Sequence, residues 1–161
     1  MSKTILLNLI VMLLEIKRRS SNALYTEGAL FINGVINCPY TVEHTDSMLP
    51  KGAYQVKLAK DRFRLRVIGI FPLTTVSKQP LMIIEAKYSY RCAKARKAIV
   101  VGNKLISGAV YQNQPLFNRL FDRIEKCEER KEEIVLLITE QQMRRSFPIG
   151  HWMMNYKPRL L

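Results

Sequence analysis

Leu30-Phe31-Ile32-Asn33-Gly34-Val35-Ile36 is a pair of apolar runs hinged on an Asn-Gly dipeptide. Both centres of a type I′ turn need positive φ, which asparagine tolerates and glycine takes at no steric cost. The stretch therefore predicts a β-hairpin within residues 25–42. Upstream, Leu14, Ile16 and Arg18 alternate with Leu13, Glu15 and Lys17, the two-residue period of a strand. Downstream, Leu49-Pro50-Lys51-Gly52 makes a turn and Ala53 to Leu58 alternates again. Arg62, Arg64 and Arg66 then oppose Phe63, Leu65 and Val67, which predicts a half-buried strand with a basic outer face.

Leu81 to Ala86 and Ile99 to Val101 are apolar enough for central strands. Phe117, Leu120, Phe121, Ile124 and Cys127 recur at helical spacing, which predicts an amphipathic helix over 115–131 packed on the sheet. Glu125, Glu128, Glu129, Glu132 and Glu133, next to Arg130 and Lys131, read as its solvated face. Ile134 to Ile138 is short, apolar and β-branched, the composition of a buried strand. The expected fold is α+β: a mainly antiparallel β-sheet domain with one main amphipathic helix near the C-terminus. It spans residues 12–140, between an apolar extension (1–11) and a basic-aromatic tail (141–161).

Hydrophobic residues at 48% and charged residues at 24% are ordinary globular values and exclude wholesale disorder. The net charge of +13 is not ordinary. Residues 51–104 hold 13 Lys and Arg against only Asp61 and Glu85, so one third of the chain carries most of the excess. Between Lys87 and Lys97 there are five cations and neither acid nor histidine. Such asymmetry favours a polyanionic partner: nucleic acid, an anionic membrane surface or an anionic cell-wall polymer. A basic solvated surface, or one facing a protein partner, is the plainer alternative. The candidate contact residues are Arg62, Arg64, Arg66, Lys87, Arg91, Lys94, Arg96 and Lys97, with arginine favoured for bidentate contacts.

Cys38, Cys92 and Cys127 show no C-x-x-C spacing, and their odd number fits no closed disulfide framework. A reduced, cytoplasmic-type protein is expected. With only His44 and His151, no Cys/His zinc site is expected, and no cofactor is implied: P-loop, G-x-G-x-x-G, G-x-S-x-G and H-E-x-x-H motifs are all missing. Ile5 to Leu14 resembles a short signal core but falls well below the roughly 20 apolar residues of a membrane span, so an extended or strand start is expected, with Met12 as an alternative initiator. In the tail, Arg144-Arg145-Ser146-Phe147-Pro148 and His151-Trp152-Met153-Met154 read as a segment that docks its Trp on the domain. Stacking on bases, or settling at an interface, is the other reading.

Taken in order, Leu14-Glu15-Ile16-Lys17-Arg18, Thr26 to Gly34, Thr41-Val42-Glu43, Pro50 to Val56 and Ile99-Val100-Val101-Gly102 resemble a bacterial and phage family known only as domain of unknown function 5675. Members with His-Gly-Asn and Gly-Cys elements look similar to L,D-transpeptidase-type cell-wall enzymes. In that chemistry a histidine takes the thiol proton and the thiolate attacks an acyl donor. Here the Gly-Cys pair falls on Lys97-Ala98 and the histidine near Lys87. The resemblance implies a frame without its catalytic residues: a non-catalytic, phage- or mobile-element-encoded protein for binding or assembly. Two alternatives stand: a cell-wall hydrolase or transpeptidase relative using Cys92 with a histidine such as His44, and a nucleic-acid-binding protein. Glu43 is expected to satisfy backbone donors or pair with a nearby cation.

Overall fold

In the computed structural model the described residues are 10–60, 63–74, 76–86, 97–106, 109–111 and 114–141. Eight strands close into a barrel: β1 (Ile10–Ser21), β2 (Tyr25–Ile32), β3 (Val35–His44), β4 (Gly52–Lys60), β5 (Arg66–Pro72), β6 (Met82–Glu85), β7 (Ala98–Gly102) and β10 (Glu133–Glu140). Around the wall they run β1-β10-β4-β5-β6-β7-β3-β2. The β1/β10 and β6/β7 pairs are parallel; the other neighbours are antiparallel. A two-stranded sheet of β8 (Lys104–Ile106) and β9 (Ala109–Tyr111) precedes helix α1 (Gln114–Glu129). The α+β, mainly antiparallel expectation therefore holds, with the sheet wrapped into a barrel.

The hairpin forms where the Asn-Gly pair places it. Asn33 (φ 48°) and Gly34 (φ 84°) both sit in the left-handed region a type I′ turn requires. The tip is tied to β1: the Leu13 N–H donates to Asn33 Oδ1 at 2.9 Å, and the Asn33 N–H donates to the Leu13 carbonyl at 2.8 Å. Met12, Leu14 and Ile16 point inward and are buried, in register with Ile134, Leu136 and Ile138 of β10. An eight-stranded barrel is just wide enough for side chains to fill, and Leu30, Ile32, Val56, Ile68, Ile70 and Ile84 complete the packing. At Gly28 a Cβ would lie 2.8 Å from the Lys17 carbonyl oxygen and 2.9 Å from Thr41 Oγ1, so only glycine lets the three strands approach here.

Both mouths of the barrel are covered. β3 and β4 are separated around the wall by β2, β1 and β10, so the 45–51 connection crosses one opening and sinks Leu49 into the core cluster. At the other end α1 touches β3, β4, β7 and β10, strands spread around the barrel, and buries Leu120, Ile124 and Cys127 in the same cluster. Pro115, in the first turn, needs no intrahelical donor. The helix ends in a Schellman arrangement: the Lys131 N–H donates to the Glu128 carbonyl and the Glu132 N–H to that of Cys127. Lys131 occupies the left-handed position (φ 56°) that usually belongs to glycine.

The wholly buried run Ala98 to Gly102 is covered on both faces. Ile99 and Val101 face the barrel core, while Val100 packs outside with Val42 and Val110, beneath Tyr25 and Leu105. The expectation for 62–67 is corrected. Phe63 to Leu65 form a turn, Arg64 is left-handed (φ 62°), and β5 begins only at Arg66, paired with Lys60. Alternation of Arg with apolar residues imitated a strand, but Phe63 and Leu65 are exposed.

Candidate functional site

Three places concentrate functional groups: the polar end of the barrel interior, the buried thiols, and the surface around α1. The first follows directly from β1 periodicity, because Arg18 continues the inward row begun by Met12. Its guanidinium grips Glu43 of β3, with Nε to Oε2 at 3.0 Å and Nη2 to Oε1 at 2.9 Å, and both side chains are 1% exposed. Nη2 also donates to the Leu49 carbonyl, fixing the connection that covers this mouth. Burial pushes the Glu43 carboxyl above the ordinary range, against the opposing hydrogen bonds and charge of Arg18. Around it, Thr26 and Thr45 share a hydroxyl contact at 3.0 Å, and Tyr54 Oη donates to the Pro50 carbonyl. Glu43 thus pairs with a cation, as expected, and the group organises the 45–51 connection.

The described thiols are held protonated. Burial pushes Cys38 up to about 12. Cys127 is raised by burial first, then by its hydrogen bond to Glu132 and that carboxylate's charge, with Arg130 and Arg123 opposing. His44 is the last residue of β3. Adjacent strand residues face opposite ways, so it points outward while Glu43 points inward. Cys92, its proposed partner, lies outside the described residues. So do Arg62, Lys87, Arg91, Lys94 and Arg96, and the tail from residue 142. Among the described residues no cluster of three His, Cys, Asp or Glu can hold a metal. Nor, among them, is any helix long and apolar enough to cross a membrane.

Of the remaining predicted contact residues, Lys97 is exposed just before β7 and Arg64 is exposed in the β4–β5 turn. Arg66 is differently placed: it pairs with Glu125 and lies over the Phe121 ring, 5.6 Å from the centroid. It clamps the helix to the barrel instead of presenting a free charge. The carboxylate stretch of α1 needs the matching correction. Glu125 takes Arg66, Glu128 Oε1 accepts from the Leu58 N–H at 2.6 Å, and Glu132 lines a cleft. Glu125 and Glu128 thus dock the helix, because β5 and β4 offer them donors, whereas Glu129 and Glu133 are exposed as expected.

With Glu125 and Glu128 committed to docking, another flank of α1 is basic. Arg119, Arg123 and Lys126 are spaced i, i+4, i+7, and Arg130 extends the row at i+11 in the following turn, so all four share one helical side. All four are exposed. The spacing is readable in the sequence, yet interleaved glutamates hide it from any count of local charge. Between this row and the β2–β3 hairpin tip is a cleft of about 190 Å³. No family model, no curated protein and no solved structure matches the chain.

Proposed function

We propose that this chain is a non-catalytic, polyanion-binding barrel, a divergent relative of the domain family of unknown function 5675 whose reactive loop has become a basic surface. One observation carries the reading: four exposed cations share one side of α1, in a chain whose net charge is +13. A polyanion gains from such a row because each neutralised phosphate or carboxylate releases condensed counterions. Phage or mobile-element origin and a cytoplasmic setting belong to the same proposal and rest on the family resemblance and on the odd number of cysteines without C-x-x-C spacing.

The experiment is retention of the full chain on heparin and on immobilised duplex DNA, compared with an Arg123→Glu/Lys126→Glu variant. The reading expects retention by both matrices, elution by salt, and a clear loss in the variant with unchanged folding. Equal retention of the variant would place binding elsewhere. A peptidoglycan-processing activity abolished by Cys92→Ala would overturn the non-catalytic assignment.

A further inference from the structure

The cleft between α1 and the hairpin tip holds two unmet demands of opposite kind. Arg123 and Lys126 stand in its wall without an ion-pair partner among the described residues, and Arg130 reaches only Glu132, at 3.7 Å. Asn33 stands opposite. Its Oδ1 is taken by the Leu13 N–H, so what remains is its amide N–H2, another donor. These groups call for an anion. At the same cleft Glu132 Oε2 is buried without a hydrogen-bond partner among the described residues, while Oε1 is ion-paired with Arg130. A buried acceptor in that state calls for an O–H or N–H donor. Met12 and Cys127 supply an apolar floor.

We propose that this cleft binds a phosphate monoester bearing a hydroxyl near the phosphate. The phosphate would meet Arg123, Lys126 and the Asn33 amide, and the hydroxyl would donate to Glu132 Oε2. Inorganic phosphate meets the cations but has no carbon skeleton to cover the Met12 and Cys127 floor or to place a separate hydroxyl against Glu132. An uncharged polyol satisfies only the carboxylate. At about 190 Å³ the space is below that of ordinary drug-sized sites and suits a few-carbon skeleton. The same chemistry arises in a free phosphorylated sugar and in the terminal phosphate of a nucleic-acid strand. The proposal rests on the polyanion reading in using the same cations, and adds to it a specific pocket.

The test is calorimetric titration of the full chain with glycerol 3-phosphate, ribose 5-phosphate, inorganic phosphate and glycerol. A 5′-phosphorylated trinucleotide and its unphosphorylated counterpart separate the two ligand sources. Both esters are expected to bind at least about tenfold tighter than inorganic phosphate, with no binding of glycerol. Glu132→Gln should shrink that preference, because a neutral amide oxygen is a weaker acceptor for the ester's hydroxyl than the carboxylate it replaces. Arg123→Gln/Lys126→Gln should abolish both, with thermal unfolding confirming that each variant folds. If inorganic phosphate binds as tightly as the esters, or the double variant binds them normally, the proposal is wrong. If no small phosphate binds while heparin retention persists, the pocket fails and the polyanion reading stands. Loss of both ends both.

Discussion

Arg18→Met removes one half of an ion pair whose two side chains are each 1% exposed. Methionine fills much of the same volume, so the cost is chiefly electrostatic: Glu43 keeps its buried carboxyl and loses its ion-pair partner. Breaking a buried pair from one side costs about 3–5 kcal/mol. For a chain of this size each kcal/mol moves Tm by roughly 2–4 °C, so the variant should melt roughly 6–20 °C lower at pH 8. The double replacement Arg18→Met/Glu43→Leu removes both charges and should recover most of that loss, since apolar residues often replace a buried pair without penalty.

The pH dependence gives the sharper signature. Glu43 has its folded pKa above its unfolded value, so the folded state holds the proton longer. Its contribution to stability is therefore fully present below the unfolded pKa and is lost as pH rises through the folded pKa. Without Arg18 the lowering influence disappears, and that window extends toward neutral pH. Across it, stability should fall by about 1.4 kcal/mol per pH unit. Urea unfolding of Arg18→Met at pH 5 and pH 8 measures this directly, and the variant should be more stable at pH 5. A loss under about 1 kcal/mol, or greater stability at pH 8, would refute the reasoning.

Replacing Lys131 by glycine relieves a left-handed residue at the end of α1 and should stabilise by about 1 kcal/mol, read as a rise of roughly 2–4 °C in Tm. Gly28→Ala pushes a Cβ against the Lys17 carbonyl oxygen and Thr41 Oγ1, so the urea midpoint should drop by the equivalent of about 1–3 kcal/mol with unchanged slope. Leu120→Ala empties part of the helix plug and should cost about 2–5 kcal/mol by the same measurement. With its pKa near 12, Cys38 should resist a thiol reagent at pH 8 in the native protein and react only when unfolding exposes it, as peptide-level mass spectrometry after timed labelling would show.

Local chemistry was legible in the sequence; long-range closure was not. Asn33-Gly34 specified its own turn, and the period-two run of β1 even placed Arg18 in the apolar row, the mark of its burial. The β1/β10 and β6/β7 pairings leave no such trace. β1 and β10 are separated by more than a hundred residues, and no local periodicity records which strand edges meet. The Arg62–Val67 alternation misled because a left-handed Arg64 interrupts it, and arginine gives no warning of that conformation as glycine would. Sharing of the α1 surface between docking acids and exposed cations became visible only once β4 and β5 were seen to supply donors to Glu125 and Glu128.

Anisotropy of a short fluorescent DNA duplex titrated with the full chain over a series of salt concentrations tests the polyanion reading most directly. The account predicts that log Kobs falls linearly with log salt, losing about 0.9 in slope per phosphate contacted. Neutralising Arg119, Arg123, Lys126 and Arg130 to glutamine should make the slope shallower by about three to four contacts' worth. An affinity indifferent to salt, or a quadruple variant with the slope of the native protein, would contradict it.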